Sequence, residues 1–181
     1  MAKLIARSAC EDLLPISIGG MELTEQPIDR MWAVAPYHGR EKAVSTALQK
    51  QGLDWPAPNT ASAKGDKLCM WSGRAQAFLV NAELGGLKDA AALTDISDGW
   101  IAVVLTGANA ASVLARLVPV DLGRAAFSQG SVVRTGLGHM SVMIHRTGPA
   151  QFTIYLFRSM ATTAVHELST AMNAVTARAA I

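Results

Sequence analysis

The sequence predicts an α+β protein built from two βαββ-like halves with antiparallel sheets. First, half of its 181 residues are hydrophobic and only 17% are charged, so the chain can bury a sizeable core without disulfides. Second, short runs of β-branched and aromatic residues alternate with stretches of helical periodicity. Third, the order strand, helix, loop, strand, strand occurs twice. Each copy opens on a tryptophan followed by small apolar residues, Trp32 and Trp100, which lie 68 residues apart.

Residues 1–20 are interpreted as an N-terminal tail, and 21–181 as one domain with halves of about 21–93 and 94–181. The elements predicted for the first half are an edge strand over 21–25, a strand over 30–35, a helix over 39–51, a long loop over 54–66, strands over 67–72 and 75–80, and a helical turn over 86–92. The helix carries Ala43, Val44, Ala47 and Leu48 on one face, and Gly52 follows in the C-cap position.

The second half repeats this order and adds a long C-terminal helix. Its predicted elements are a strand over 100–107, a helix over 108–117, a loop over 119–130, strands over 131–138, 141–146 and 151–158, turns at His139 and at Gly148-Pro149, and a helix from about Ser159 to Arg178. Ser159 can cap that helix. Its predicted apolar stripe consists of Ala161, Val165, Leu168, Met172 and Val175.

Charge is distributed unevenly along the chain. Residues 1–99 hold 10 of the 16 Lys and Arg and 12 of the 14 Asp and Glu, and no lysine follows Lys88. Interfaces between proteins are depleted in Lys, Asp and Glu, so residues 100–181 are interpreted as a half partly covered by a partner. The alternative is an alanine-rich composition without functional meaning. Under the first interpretation, the face built from residues 100–181 is the more deeply buried one in an assembly.

Composition narrows the classes of protein further. The net charge of +2 is too small to indicate a nucleic-acid or membrane-surface protein. Cys10 and Cys69 form no CxxC motif and are expected to be reduced thiols. The N-terminal stretch is interrupted by Arg7, Glu11 and Asp12, so it is not interpreted as a signal peptide, and no apolar run is long enough for a membrane helix. A cytoplasmic protein is therefore expected.

None of the residues that could support chemistry forms a recognisable catalytic, cofactor or metal site. Gly136 and Gly138 give a G-x-G that lies between strands and lacks a third glycine, so we predict that these glycines serve backbone turns or close strand packing. Ser97 between Asp95 and Asp98 is predicted to belong to a turn in which these side chains bond their own backbone.

The histidines and tryptophans also give only weak evidence for a functional site. The chain has His38, His139, His145 and His166. His139 and His145 are six residues apart and could share a strand face, but further metal ligands are missing nearby, and His139 fits a hydrogen-bonding anchor or an interface contact. Core packing is the default for the tryptophans, although Trp55, in a Pro-rich loop, also fits a partner anchor.

The loops carry a resemblance to a known family. Residues 54–66, DWPAPNTASAKGD, followed by LCMW, resemble its pattern P-x-PNT…GD…LW. TDISDGW (94–100), LTG (105–107), PVDL (119–122), AFSQG (126–130), TGLGH (135–139) and FRS (157–159) then occur in the family's order and at similar spacing. Over about residues 20–172 the sequence resembles the gamma subunit of heterotetrameric sarcosine oxidase.

The resemblance implies the fold of the folate-binding aminomethyltransferases, of which the glycine-cleavage T protein is one. It implies a non-catalytic subunit with a structural role, partnered by alpha, beta and delta subunits. The complex would convert sarcosine, tetrahydrofolate and O2 to glycine, 5,10-methylenetetrahydrofolate and H2O2. FAD, FMN, NAD and tetrahydrofolate would be held by other subunits, and no cofactor by this chain.

One segment departs from the family pattern. Residues 71–79 lack the acidic pair of the usual LGPDEWL, and Phe78 replaces a common Trp. A four-subunit amine oxidase or dehydrogenase acting on another N-methyl amino acid is therefore an open alternative. Two further alternatives are a free-standing folate-binding aminomethyltransferase-like protein and a structural module of an unrelated assembly.

Overall fold

The fold consists of two antiparallel sheets with helices on their outer faces, in a computed structural model that describes residues 7–179. The strands are β1 (Ile16–Ile18), β2 (Met21–Gln26), β3 (Met31–Pro36), β4 (Ala61–Lys64), β5 (Lys67–Gly73), β6 (Gln76–Val80), β7 (Ala91–Asp95), β8 (Trp100–Thr106), β9 (Val132–Leu137), β10 (Met140–Gly148) and β11 (Gln151–Phe157). The helices are α1 (Glu41–Gln49), α2 (Ala110–Leu114) and α3 (Ala161–Ala179). The α+β class with antiparallel sheets is thereby confirmed.

Buried side chains form three layers of core. One cluster lies between the two sheets and draws on both of them, with Met70 and Phe78 from one sheet and Met143 and Tyr155 from the other. A second cluster packs α1 against the sheet of β3 to β7. The third packs α2 and α3 against the larger sheet. The architecture is therefore helix, sheet, sheet, helix in four layers, because each sheet covers one face with a helix and the other with its partner sheet.

The two sheets have the same strand order and exchange one strand each. The smaller runs β4-β5-β6-β3-β7, and the larger runs β9-β10-β11-β8-β2 with β1 added at its edge. Hence β3, α1, β4, β5 and β6 correspond to β8, α2, β9, β10 and β11. The strand that precedes each copy, β2 or β7, pairs with the first strand of the other copy. The predicted duplication agrees with this topology, but the predicted halves of about 21–93 and 94–181 are not separate sheets.

The two tryptophans taken as equivalent starting points are not equivalent. Trp32 lies opposite Leu79 and packs toward α1, whereas Trp100 lies opposite Phe157 and belongs to the layer between the sheets. Met31, which precedes Trp32 on β3, belongs like Trp100 to the layer between the sheets, so Trp100 corresponds to Met31. The structural repeat is thus 69 residues at this strand, and a spacing of 68 puts the two rings on opposite faces.

Part of the predicted N-terminal tail belongs to the core. Cys10 is buried in the same cluster as α3, and Ile16–Ile18 forms an edge strand paired with β2. Apolar side chains such as Leu13 and Leu14 also pack against that cluster. Residues 7–20 are therefore folded, because their apolar side chains are removed from water. Residues 1–6 of the tail lie outside the described residues.

Smaller differences concern element boundaries. The predicted loop 54–66 contains β4, and the predicted helical turn over 86–92 is a series of turns that leads into β7. The helix predicted over 108–117 is only five residues long. In α3, by contrast, Ala161, Val165, Leu168 and Met172 are buried as predicted, and Val175 packs against them. None of the helices in residues 7–179 is long and apolar enough to cross a membrane.

Candidate functional site

The PNT and SQG motifs join the two sheets by backbone hydrogen bonds. Asn59 has a positive φ of 60°, and its carbonyl accepts the Val132 N–H at 2.8 Å. The Ala61 N–H donates to the Gly130 carbonyl at 3.0 Å. Asn tolerates the left-handed conformation that this turn requires, which gives the residue a structural role. These motif residues position the start of β9 against the smaller sheet.

The Asp95–Ser97 turn has a similar role. The Ser97 N–H and Oγ–H both donate to Asp95 Oδ1, at 3.0 and 2.6 Å, and Ser97 Oγ accepts the Met31 N–H at 2.9 Å. The hydrogen bonds from Ser97 lower the pKa of the Asp95 carboxyl. The predicted turn is confirmed. It also holds the first strand of one copy beside the strand that precedes the other.

The histidines do not come together. His139 is exposed at the tip of the β9–β10 hairpin, whereas His145 is buried on β10. Burial lowers the pKa of His145 to about 4, so its ring is neutral at physiological pH. Within the described ranges, no group of three or more His, Cys, Asp or Glu is placed to hold a metal ion.

Polar groups without partners lie around His145, between the sheets. His145 Nδ1, Thr147 Oγ1 and Thr153 Oγ1 are all shielded from solvent and make no hydrogen bond. They line, with Asp66 and Tyr155, a cavity of about 100 Å³ at the edge of the sheet interface. A water molecule occupies about 30 Å³ of liquid and needs two to four polar partners, so this cavity suits a few ordered waters. No signal in the sequence indicated this cluster, because its residues converge only through the pairing of β10 with β11.

Two arginines converge near the end of β10. Arg146 is 2% exposed, stacks on the Phe152 ring with its Cζ 4.4 Å from the centroid, and donates from Nη1 to the Pro149 carbonyl at 2.8 Å. Its Nη2 donates to the Leu122 carbonyl. Arg124 Nη2 donates to the same Pro149 carbonyl at 3.4 Å. Burial and the charge of Arg124 lower the pKa of the Arg146 guanidinium.

The solvent side of α3 is nearly free of charge. Its exposed residues are Thr162, Thr163, His166, Thr170, Asn173, Ala177, Arg178 and Ala179. In α1 the exposed side includes Glu41 and Lys42 within nine residues. A helix side that faces only solvent usually carries charged residues, and interfaces are depleted in Lys, Glu and Asp. We call the stripe of Thr162, His166, Thr170, Asn173 and Ala177 the α3 face; it is the part of the charge-poor half that best fits a contact with another protein.

Large apolar side chains are exposed beside the start of α3. Phe157 is 42% exposed and Met160 41% exposed. The Phe157 ring packs against Trp100 with centroids 4.7 Å apart, so it is held in place by the core. Trp55, considered above as a partner anchor, is half-buried and packs against the α1 cluster.

Comparison with known proteins identifies a fold. No family model matches the chain, and no curated protein matches it significantly. Among solved structures, a chain of the heterotetrameric sarcosine oxidase from Corynebacterium sp. U-96, in complex with pyrrole 2-carboxylate, superposes with a TM-score of 0.83. The sequences are 22% identical over 94% of this chain and 96% of that one. An aspartate kinase from Clostridium acetobutylicum, at a TM-score of 0.40, 12% identity and coverage of 87% and 35%, is too dissimilar to inform the comparison. The chain thus has the fold of a small chain of the enzyme to which its motifs pointed.

Proposed function

We propose that this chain is the gamma-type subunit of a heterotetrameric sarcosine oxidase-like complex, with a structural role in assembly and no reaction centre of its own. The observation that carries the proposal is the fold match, which spans nearly the full length of both chains. Partial overlap would be expected for a shared module, whereas coverage of 94% and 96% is what equivalent subunits give.

Two further observations support a structural role. The motif residues that carry the family resemblance are engaged in turns and in hydrogen bonds, such as the bond between the sheets from the Val132 N–H to the Asn59 carbonyl. The α3 face, with the exposed Phe157 and Met160 side chains beside it, provides a surface of little charge on a half without lysine. Alpha, beta and delta subunits are the proposed partners, and the α3 face is the proposed contact.

In this proposal the chemistry belongs to the other subunits. The complex oxidises sarcosine to glycine, O2 is reduced to H2O2, and the one-carbon unit passes to tetrahydrofolate as 5,10-methylenetetrahydrofolate. FAD, FMN, NAD and tetrahydrofolate are bound by the partners, and the complex is cytoplasmic. The aminomethyltransferase-like fold expected from the resemblance belongs to the same proposal.

The test is co-expression of the full chain with the neighbouring genes and purification through a tag on a candidate partner. We expect this chain to co-purify with flavin-containing subunits and the isolated chain to show no visible flavin absorption. If the chain never co-purifies with a flavoprotein, the proposal is wrong. Titration of tetrahydrofolate into the isolated chain addresses the free-standing folate-binding alternative, which predicts saturable heat release.

A matched pair of variants tests the proposed contact. Thr170→Glu places a charge in the middle of the α3 face, and Thr46→Glu places one on the exposed side of α1. A buried unpaired carboxylate is strongly unfavourable at an interface, so Thr170→Glu should reduce the yield of complex at least about tenfold. Thr46→Glu should leave the yield unchanged. Equal yields would show that the contact lies elsewhere, even if the subunit assignment holds.

A further inference from the structure

We propose that the cleft between Arg124 and Arg146 is a binding site for a carboxylate or another small oxyanion. The cleft has a volume of about 210 Å³ and is lined by Arg124, Ser128, Gln129, Arg146 and Pro149. That space exceeds what a carboxylate or phosphate group needs, given about 30 Å³ for a water molecule.

The charge of this cleft is not compensated within the protein. Among residues 7–179 the one ion pair within 4 Å joins Arg7 and Glu11, far along the chain from either arginine of the cleft. No carboxylate lines the cleft in this part of the chain. Asp121, the nearest acid in sequence, accepts the Gly123 N–H at 2.8 Å. A buried cation is normally paired, so an unpaired one beside a second cation indicates a ligand from outside.

Arg146 also retains donor capacity. A guanidinium has five N–H donors, and the structure gives Arg146 two acceptors, the carbonyls of Pro149 and Leu122. Its Nε is shielded from solvent and has no hydrogen-bond partner. An oxyanion offers several lone pairs and matches the planar fork of arginine, which is why arginine predominates at such sites.

A purely structural role explains only part of this arrangement. Arg146 holds the loop of residues 119–130 to the β10–β11 turn through the same two carbonyls, and its stacking on Phe152 fixes its plane. These contacts need one arginine. Arg124 places a second cation at the Pro149 oxygen, where its charge repels that of Arg146. Neither packing nor a buried hydrogen bond requires a second arginine there. A bound oxyanion would accept hydrogen bonds from both guanidinium groups and offset the repulsion between them.

The first arm of the test uses the full chain alone and does not depend on the proposed function. The Nε–Hε resonance of Arg146 is followed by NMR while sodium acetate or inorganic phosphate is added at constant ionic strength. We expect a saturable shift in the wild-type chain and in Arg116→Gln, which removes an exposed arginine that does not line the cleft. Arg124→Gln should weaken the apparent affinity at least about tenfold. Because Arg124 is exposed, this variant should fold even if substitutions of Arg146 do not.

The second arm asks whether the oxyanion is a side chain of another subunit, and it rests on the proposed function. Arg124→Glu and Arg116→Glu are compared in the co-expression assay. If the source is a partner's carboxylate, Arg124→Glu should reduce the yield of complex at least about tenfold, and Arg116→Glu should not. If the source is a free anion, both variants should assemble normally while the first arm shows saturable binding.

Two results would overturn the site. One is the absence of a saturable shift with either anion, together with normal assembly of Arg124→Glu. The other is a shift that Arg124→Gln leaves unchanged, which would mean that an adventitious anion binds elsewhere. If even the wild-type chain forms no complex, the proposed function fails and the first arm alone decides the site.

Discussion

The hydrogen bond from the Met31 N–H to Ser97 Oγ should contribute measurably to stability. It is 2.9 Å long, spans 66 residues of sequence and starts from a residue that is fully buried. Ser97→Ala removes the acceptor and leaves a buried N–H unpaired, which costs about 1–3 kcal/mol. For a chain of this size, a loss of about 2 kcal/mol lowers the melting temperature by about 4–8 °C.

The assay is thermal and urea unfolding of the full chain, with Ser112→Ala as the matched control. Ser112 is exposed on α2 and makes no side-chain hydrogen bond in the structure, so its loss should change stability by less than about 0.5 kcal/mol. In Ser97→Ala the Met31 amide should exchange faster with solvent, and the pKa of Asp95 should rise because the hydrogen bond from the Ser97 Oγ–H is lost. Equal stabilities of the two variants would refute the idea that this bond joins the copies.

Three further predictions concern single positions. Gly107 has a φ of +123°, and a Cβ added there would lie 2.8 Å from a backbone oxygen of the β1–β2 turn. Gly107→Ala should therefore lower the free energy of unfolding in urea by about 2–4 kcal/mol. Gly138→Ala, at a φ of +55° in open space, should lower it by about 1 kcal/mol. His145 is neutral when folded, with a pKa of about 4 against 6.5 when unfolded. Its contribution to the free energy of unfolding should therefore be fully present above pH 6.5, and the free energy should fall by about 3 kcal/mol as the pH drops to 4. His145→Leu should flatten that pH dependence. Burial raises the pKa of Cys10 to about 11 and of Cys69 to about 12, so a thiol reagent at pH 7 should label both only on unfolding, and fast labelling of either in the native state would contradict their burial.

Elements determined by local pattern could be predicted from the sequence. The hairpins of β9, β10 and β11 follow from alternating apolar residues separated by turn residues. The stripe of α3 follows from its 3.6-residue period. In both cases the burying surface is adjacent in the fold to the element that carries the pattern, so local periodicity was sufficient.

Partner choice between strands could not be predicted in the same way. β2 was predicted as an edge strand and β7 was not predicted as a strand, and neither sequence says which sheet the segment joins. The equivalence of Trp32 and Trp100 was wrong by one residue for a related reason. A single-residue offset reverses the face of a strand, and composition alone does not fix that offset.

The candidate sites could not be predicted from the sequence because only the fold brings their residues together. Arg124 and Arg146 are 22 residues apart and meet because the loop between them folds back on the end of β10. The only sequence signal was indirect: six arginines face two acids after residue 99, which leaves cations without partners. The scarcity of lysine and acids in this half was interpreted as a sign of a covered surface, and in the structure two of its arginines line one cleft.

The strand exchange leads to a final prediction about cooperativity. β2 completes the larger sheet and β7 the smaller one, so each copy of the repeat supplies a strand to the other. A cut at the exposed Gly85-Gly86 turn separates the copies as residues 1–85 and 86–181. Each fragment would lack its fifth strand and expose one wall of the layer between the sheets, including Met31 in one fragment and Met143 in the other.

Neither fragment should therefore fold alone, because the buried apolar layer is available only when both are present. Equimolar mixing should restore the circular dichroism of the intact chain and a single unfolding transition whose midpoint rises with concentration. An intact chain cut after folding provides the control for the cleavage itself. Cooperative unfolding of monomeric 86–181 by itself would show that the second copy is an independent domain, and the exchange would then be a feature of packing without consequence for folding.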